Sequence, residues 1–144
     1  LVTAKLLDFY GKELWTASKE CVLDVERNTT CMQISYKELP KFEKDKTFLL
    51  IEFTSNQKKT VAHHYFVKPK ELQLEQPTIE IKIVGETLIE LKTNTLAKNV
   101  YLQAKNTFFE ENYFDLLPGI PKIIKTEKPT QETKVLSLFD VVNE

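Results

Sequence analysis

Glycine, cysteine, tryptophan and histidine are scarce in this sequence, and each scarcity closes off a kind of chemistry. Three glycines, Gly11, Gly85 and Gly119, lie far apart in 144 residues. A phosphate-cradling loop needs several glycines close together, so that type of nucleotide site is excluded. Neither a G-x-S-x-G elbow nor an H-E-x-x-H helix occurs. The two cysteines, Cys21 and Cys31, are too few for a disulfide framework. They could face each other across adjacent strands, but buried free thiols are the expectation, because isolated strand cysteines behave as small apolar residues. Charge of one sign is lacking too: 20 Lys and Arg stand against 21 Asp and Glu, scattered rather than blocked. That leaves no electrostatic footprint for nucleic acid or an anionic membrane. No run approaches the roughly 20 apolar residues of a membrane helix. The start, Leu1, Val2, Thr3, shows no signal peptide and lies inside a strand-like pattern, as in an excised piece of a longer chain.

What is present is period-2 alternation. Val2, Ala4 and Leu6 point one way, and Thr3, Lys5 and Leu7 the other. Residues 14–16 resume a strand. Cys21, Leu23 and Val25 form another, and 31–36 a further short one. Residues 37–46 make a charged loop around Pro40, with Phe42 as its anchor. Segment 47–53 is apolar on both faces and belongs centrally. Residues 55–59 form a hairpin loop, and 60–67 pair back, rich in β-branched and aromatic residues. Residues 71–77, bracketed by Pro69 and Pro77, mark a domain boundary. Beyond it, strands are expected at 78–84, 87–92, 99–104, 122–126 and 134–138. Strands of this length and spacing point to antiparallel sandwiches. The first half offers about five strands, where an immunoglobulin-type sandwich has about seven.

One segment stands out: Asn112, Tyr113, Phe114, Asp115, Leu116, Leu117, Pro118, Gly119. Asn112 and Asp115 have short side chains that bond local backbone in turns. Phe114 and Leu116 share one face of an extended strand, and Tyr113 and Leu117 the other. Pro118 fixes φ and Gly119 accepts positive φ, so a sharp turn follows. The expectation is a core plug with Phe114 and Leu116 buried.

That string resembles the signature of the C-terminal immunoglobulin-like domain of β-mannosidases of glycoside hydrolase family two. Residues 91–102 resemble the two strands before it. Residues 135–140 resemble the last strand and a Ser-Leu-Trp-Asp-like ending, with Phe139 where tryptophan is common. Residues 1–74 resemble, more loosely, the second half of the preceding immunoglobulin-like domain. The resemblance implies an all-β fold of two tandem immunoglobulin-like antiparallel β-sandwiches. The first, residues 1–74, would be truncated at its N-terminus; the second would span 75–144. It implies a non-catalytic accessory region whose partners are an upstream catalytic barrel of the same polypeptide and the parent's glycan substrate. The intact parent would hydrolyse terminal non-reducing β-D-mannose with retention, through two Glu residues that lie in the barrel and not in this sequence. No cofactor, nucleic acid or membrane partner is implied. The compartment would be periplasmic or extracellular in a bacterium, and lysosomal in an animal.

The residues themselves offer few candidates for chemistry. Glycoside hydrolysis needs two carboxylates across a cleft; Glu110 and Glu111 are adjacent and read as a solvated loop. His63 and His64 neighbour each other on one strand, so their side chains diverge and no tetrahedral ligand set completes around them. Catalytic, metal and cofactor residues are therefore expected to be none. Asn28, Thr29 and Thr30 fit the N-glycosylation pattern, which is frequent by chance. Trp15, Tyr10 and Tyr36 are the aromatics that could stack a sugar ring. For Trp15 the favoured reading is a partly buried packing residue. A carbohydrate-binding module with its own sugar site is the alternative function; a cell-surface adhesion module is a more remote one.

Overall fold

The structure is a computed structural model that describes residues 1–21, 32–104, 107–127, 129 and 133–142. The chain divides into two compact units, one of Leu1–Asp8 and Lys12–Gln73, the other of Phe9–Gly11 and Leu74–Glu144.

The first unit holds an antiparallel sheet of four strands: β1 (Val2–Asp8), β2 (Glu13–Lys19), β3 (Thr47–Ser55) and β4 (Lys58–Tyr65), in the order β2-β1-β3-β4. The alternation of β1 is real. Its register places Leu6 beside Trp15 of β2 and Leu49 of β3, and Ala4 beside Ala17 and Ile51. Leu7 and Phe48 pair on the opposite face, and both are buried. β1 therefore buries apolar residues on both sides, whereas β3 buries Phe48 and Leu50 on one face and half-buries Leu49 and Ile51 on the other; the inner place of β3 in the sheet is as expected for 47–53. The β3–β4 hairpin closes with two residues, Asn56 and Gln57, both at positive φ (48° and 67°). A two-residue turn of that hand matches the twist of the strands it joins.

The loop expected over 55–59 thus shrinks to two residues, and the strand expected over 60–67 runs Lys58–Tyr65. Three further expectations change in this unit. Strand β2 is longer than 14–16, because polar Thr16 and Ser18 continue its exposed face; Ser18 Oγ lies 3.0 Å from Thr3 Oγ1. Residues 32–35 are not a strand, and Tyr36–Glu38 is a 3₁₀ turn. Ser35 causes this: its Oγ accepts from the Lys37 N–H and its carbonyl from the Glu38 N–H, local bonds that compete with a sheet ladder. Cys21 is disulfide-bonded, not a free thiol. It sits beyond the end of β2 and only half-buried, so the packing argument for a thiol does not apply to it. Cys31, the rest of the strand expected from Cys21 to Val25, and the Asn28 glycosylation pattern lie outside the described residues.

The second unit is a sandwich of two three-stranded antiparallel sheets. One has the order β5 (Ile79–Gly85), β6 (Leu88–Thr93), β9 (Lys122–Lys125); the other runs β10 (Lys134–Leu136), β7 (Ala97–Gln103), β8 (Phe114–Leu116). Ile89, Leu91 and Ile124 from the first sheet meet Ala97, Val100, Leu102, Phe114 and Leu116 from the second in one core. Helix α1 (Leu138–Val142) ends the described chain where strand was expected to run to 138. Asp140 is the reason: one carboxylate oxygen accepts from both the N–H and the hydroxyl of Ser137, so the chain turns into a helix there.

Candidate functional site

Residues 112–119 form a clasp across the β7–β8 edge of the second core. Strand β8 has three residues, too few to hold register by its ladder alone. Side chains supply the missing bonds. Asn112 Oδ1 accepts from the Leu102 N–H at 2.7 Å, and its Nδ2 donates to the Leu102 carbonyl at 3.4 Å. The carboxamide thus mimics a strand backbone and extends the pairing past the end of β8. The Tyr113 N–H then donates to the Val100 carbonyl at 2.7 Å.

Asp115 acts on the other side. Between Ala97 and Val100 the register of β7 slips against β8. Asn99 lies at the slip with φ of 51°, a conformation asparagine tolerates. Its N–H, turned out of the ladder, donates to Asp115 Oδ1 at 3.0 Å, while Lys98 Nζ lies 3.4 Å from Oδ2. Both side chains of that ion pair are about nine-tenths covered, 11% and 10% exposed. Asn112 and Asp115 therefore bond backbone ten and sixteen residues away rather than in the local turns expected. Asn is needed at 112 because only a carboxamide both accepts and donates in one plane; an acceptor suits 115 because it faces an N–H and an ammonium.

Between the two anchors the aromatics divide. Phe114 is 7% exposed and Leu116 is fully buried, as the alternation requires. Lys122 Nζ rides 4.8 Å from the centroid of the Phe114 ring and ion-pairs with Glu111 at 3.1 Å. Tyr113 does not share a buried face with Leu117. Its φ is 59°, which breaks the alternation, and its side chain is 69% exposed. A left-handed backbone costs a non-glycine residue about 1–2 kcal/mol. The Tyr113 ring stacks on Tyr101, with centroids 5.2 Å apart and planes 22° from parallel. Such a stack contributes about 0.5–1.5 kcal/mol, enough to offset much of that strain. Gly119 sits at φ 78° with open space where a Cβ would stand. It is there for its backbone conformation alone, as the turn predicted.

The other candidates are placed as follows. Glu110 and Glu111 are exposed on a segment outside any strand, and Glu111 is engaged by Lys122. His63 and His64 lie exposed on β4 and point to opposite faces. His63 meets the ring of Tyr65 edge-on, and His64 that of Phe66. Among the described residues no group of three or more His, Cys, Asp or Glu is placed to hold a metal. Trp15 is half-buried beside Leu6, and Tyr10 is exposed. Tyr36 joins a separate cluster, edge-on to Phe66, which also packs Phe42; Lys44 Nζ stands 5.4 Å from the Tyr36 ring. A cleft of about 400 Å³ opens beside the Gly119 turn, with Glu80, Lys92 and Asn94 among its polar lining. It presents a single carboxylate, and Asn94 Oδ1 is already used by the Thr78 N–H. Sequence reasoning missed Tyr101 and Tyr113 as a pair, since the slip at Asn99 decides which way Tyr101 faces.

In the second unit, antiparallel sheets stacked around one core, with a clasped short strand, define the immunoglobulin-like β-sandwich class. Residues 1–71 match the family described as mannosidase Ig/CBM-like domain, and residues 74–141 match the Ig-mannosidase family, an Ig-fold domain. The chain belongs to these mannosidase immunoglobulin-like domain families and resembles the C-terminal immunoglobulin-like domains of a β-mannosidase. Among solved structures it is similar to the β-D-mannosidase of Dictyoglomus thermophilum, with a TM-score of 0.71 and 17% identity. That match covers 95% of this chain and 18% of the Dictyoglomus protein. No curated protein matches.

Proposed function

We propose that the chain is the non-catalytic C-terminal accessory region of a β-mannosidase. The intact enzyme would remove terminal non-reducing β-D-mannose residues from glycans, with retention of configuration. The nucleophile and the acid/base would be carried by a catalytic barrel elsewhere in the same polypeptide, which would be the partner of this region. The observation that carries this reading is the 112–119 clasp. Its polar side chains are consumed in holding β7 to β8, which is a structural task, and the family matches extend over both units. Retaining hydrolysis needs two carboxylates about 5–5.5 Å apart across a cleft. The exposed Glu110 and the ion-paired Glu111 do not have the character of such a pair.

The test is direct. The purified 144-residue chain is incubated with an aryl β-mannoside and release of the phenol is followed. No turnover is expected above the buffer rate. Turnover that persists through purification and disappears in Glu110→Gln or Glu111→Gln would overturn the reading. The alternative, a carbohydrate-binding module, has one observation in its favour, the exposed tyrosine stack.

A further inference from the structure

We propose that Tyr101 and Tyr113 form a platform that stacks against the apolar face of a β-linked mannosyl residue. The two rings lie 5.2 Å apart and 22° from parallel, and Tyr113 is 69% exposed, so the stack presents open aromatic surface to solvent. The platform is rigid. Tyr101 sits on β7, the middle strand of its sheet, paired with Leu136. Tyr113 is fixed by its own N–H bond to Val100 and by the Asn112 clamp on Leu102 immediately before it. A preformed surface loses little freedom when a ligand settles on it.

Residue choice argues the same way. The backbone at 113 is left-handed, where glycine or asparagine fits without strain and an aromatic residue is an outlier. The Tyr101 stack offsets only part of that strain and leaves the Tyr113 ring mostly in water, which points to a use beyond packing. The Tyr36 cluster is a weaker platform, because Lys44 already stands over that ring and the edge of Phe66 meets it.

The ligand class follows from sugar stereochemistry. A β-D-mannopyranosyl ring carries its C1, C3 and C5 hydrogens on one face and its axial O2 on the other. The C–H face is apolar and suits an aromatic surface, while the equatorial hydroxyls stay in water. An α linkage puts the glycosidic oxygen on that same C–H face and blocks the stack. The mannosidase reading supplies the choice of mannose; the platform itself rests on the geometry.

The experiment is calorimetric titration of the 144-residue chain with β-1,4-mannotriose, α-linked mannotriose and cellotriose. Saturable, weak binding of β-1,4-mannotriose is expected, with the α-linked sugar at least about tenfold weaker. Tyr113→Gly, which suits the left-handed backbone, should weaken binding at least about tenfold without lowering the melting temperature. Tyr101→Leu, which keeps bulk on β7, should do the same to binding. Preference for cellotriose would support the platform and overturn the choice of mannose. No saturable binding of either β-linked sugar, or undiminished binding by Tyr113→Gly, would overturn the platform.

Discussion

Strands β4 and β8 are both edges of antiparallel sheets, and they are held by opposite means. Strand β4 pairs with β3 through eight consecutive residue pairs, from Phe48 with Tyr65 to Ser55 with Lys58. Its side chains from Lys58 through His64 are all exposed. Strand β8 pairs with β7 at only two positions, yet Phe114 and Leu116 are buried and Asn112 and Asp115 are bonded across to β7. A long edge strand keeps its place by its backbone ladder and needs little from its side chains. A short one must be fastened by them. Specific residues should therefore matter greatly in β8 and little in β4.

The sharpest break in that contrast is Phe114→Ala. Truncating a buried ring costs about 3–5 kcal/mol, and in a domain of this size each kcal/mol shifts the melting temperature by about 4–8 °C. A drop of more than about 10 °C is expected in the transition of the second unit. Amide exchange in β6, β7 and β9, whose residues share the core with Phe114, should lose protection. Melting unchanged from the parent chain would show that the clasp does not fasten a core strand.

Asn112→Ala is the next test and isolates the polar part of the clasp. It removes both bonds to Leu102 and leaves a part-buried N–H and carbonyl to find other partners. The expected loss is about 1–3 kcal/mol, read by thermal or urea unfolding. Asn112→Asp should recover little, because a carboxylate accepts from the N–H but repels the carbonyl. Full recovery by aspartate would mean that only the acceptor half of the clamp matters.

The contrast also explains what could be read from the sequence. Clean alternation in Val2, Ala4, Leu6 and in Ile79, Ile81, Ile83 gives β1 and β5, although Ile83 is exposed, and the polar run 55–59 marks the β3–β4 hairpin, whose turn proper is only Asn56 and Gln57. Those features are local, and period-2 patterning carries them. The sequence pattern starts a strand only at 99, whereas β7 starts at Ala97: the slip at Asn99 puts both Ala97 and Val100 in the core, three positions apart. A two-residue period cannot show that. The residues of the clasp stand out in the sequence, but their partners do not, since Leu102 and Asn99 are chosen by strand register. Tyr36 was expected to end a strand; the hydroxyl of Ser35 turned the chain instead. The tyrosine stack was invisible for the same reason as the slip that orients it.

The smallest expected effect lies on β4. Val61 is paired with Glu52 and is 38% exposed. The Glu52 carboxylate takes Lys5 Nζ at 3.7 Å and Lys59 Nζ at 3.3 Å, so the charges of this sheet face meet on β3 and do not depend on Val61. The lysine ends of these pairs are 33% and 56% exposed, so solvent screens them to about 1 kcal/mol or less each. Val61→Ala removes two methyl groups from a position already largely in water and a modest strand preference, on a scale spanning about 1 kcal/mol. The expected cost is below about 0.5 kcal/mol, followed through the fluorescence of Trp15, the single tryptophan, which lies in the same sheet. The lysines at 58 and 59 remain to discourage pairing with another chain, so the variant should also stay as soluble as its parent. A loss comparable to that of Asn112→Ala would show that β4 is fastened by its side chains after all, and the distinction between a laddered edge and a clasped one would fall.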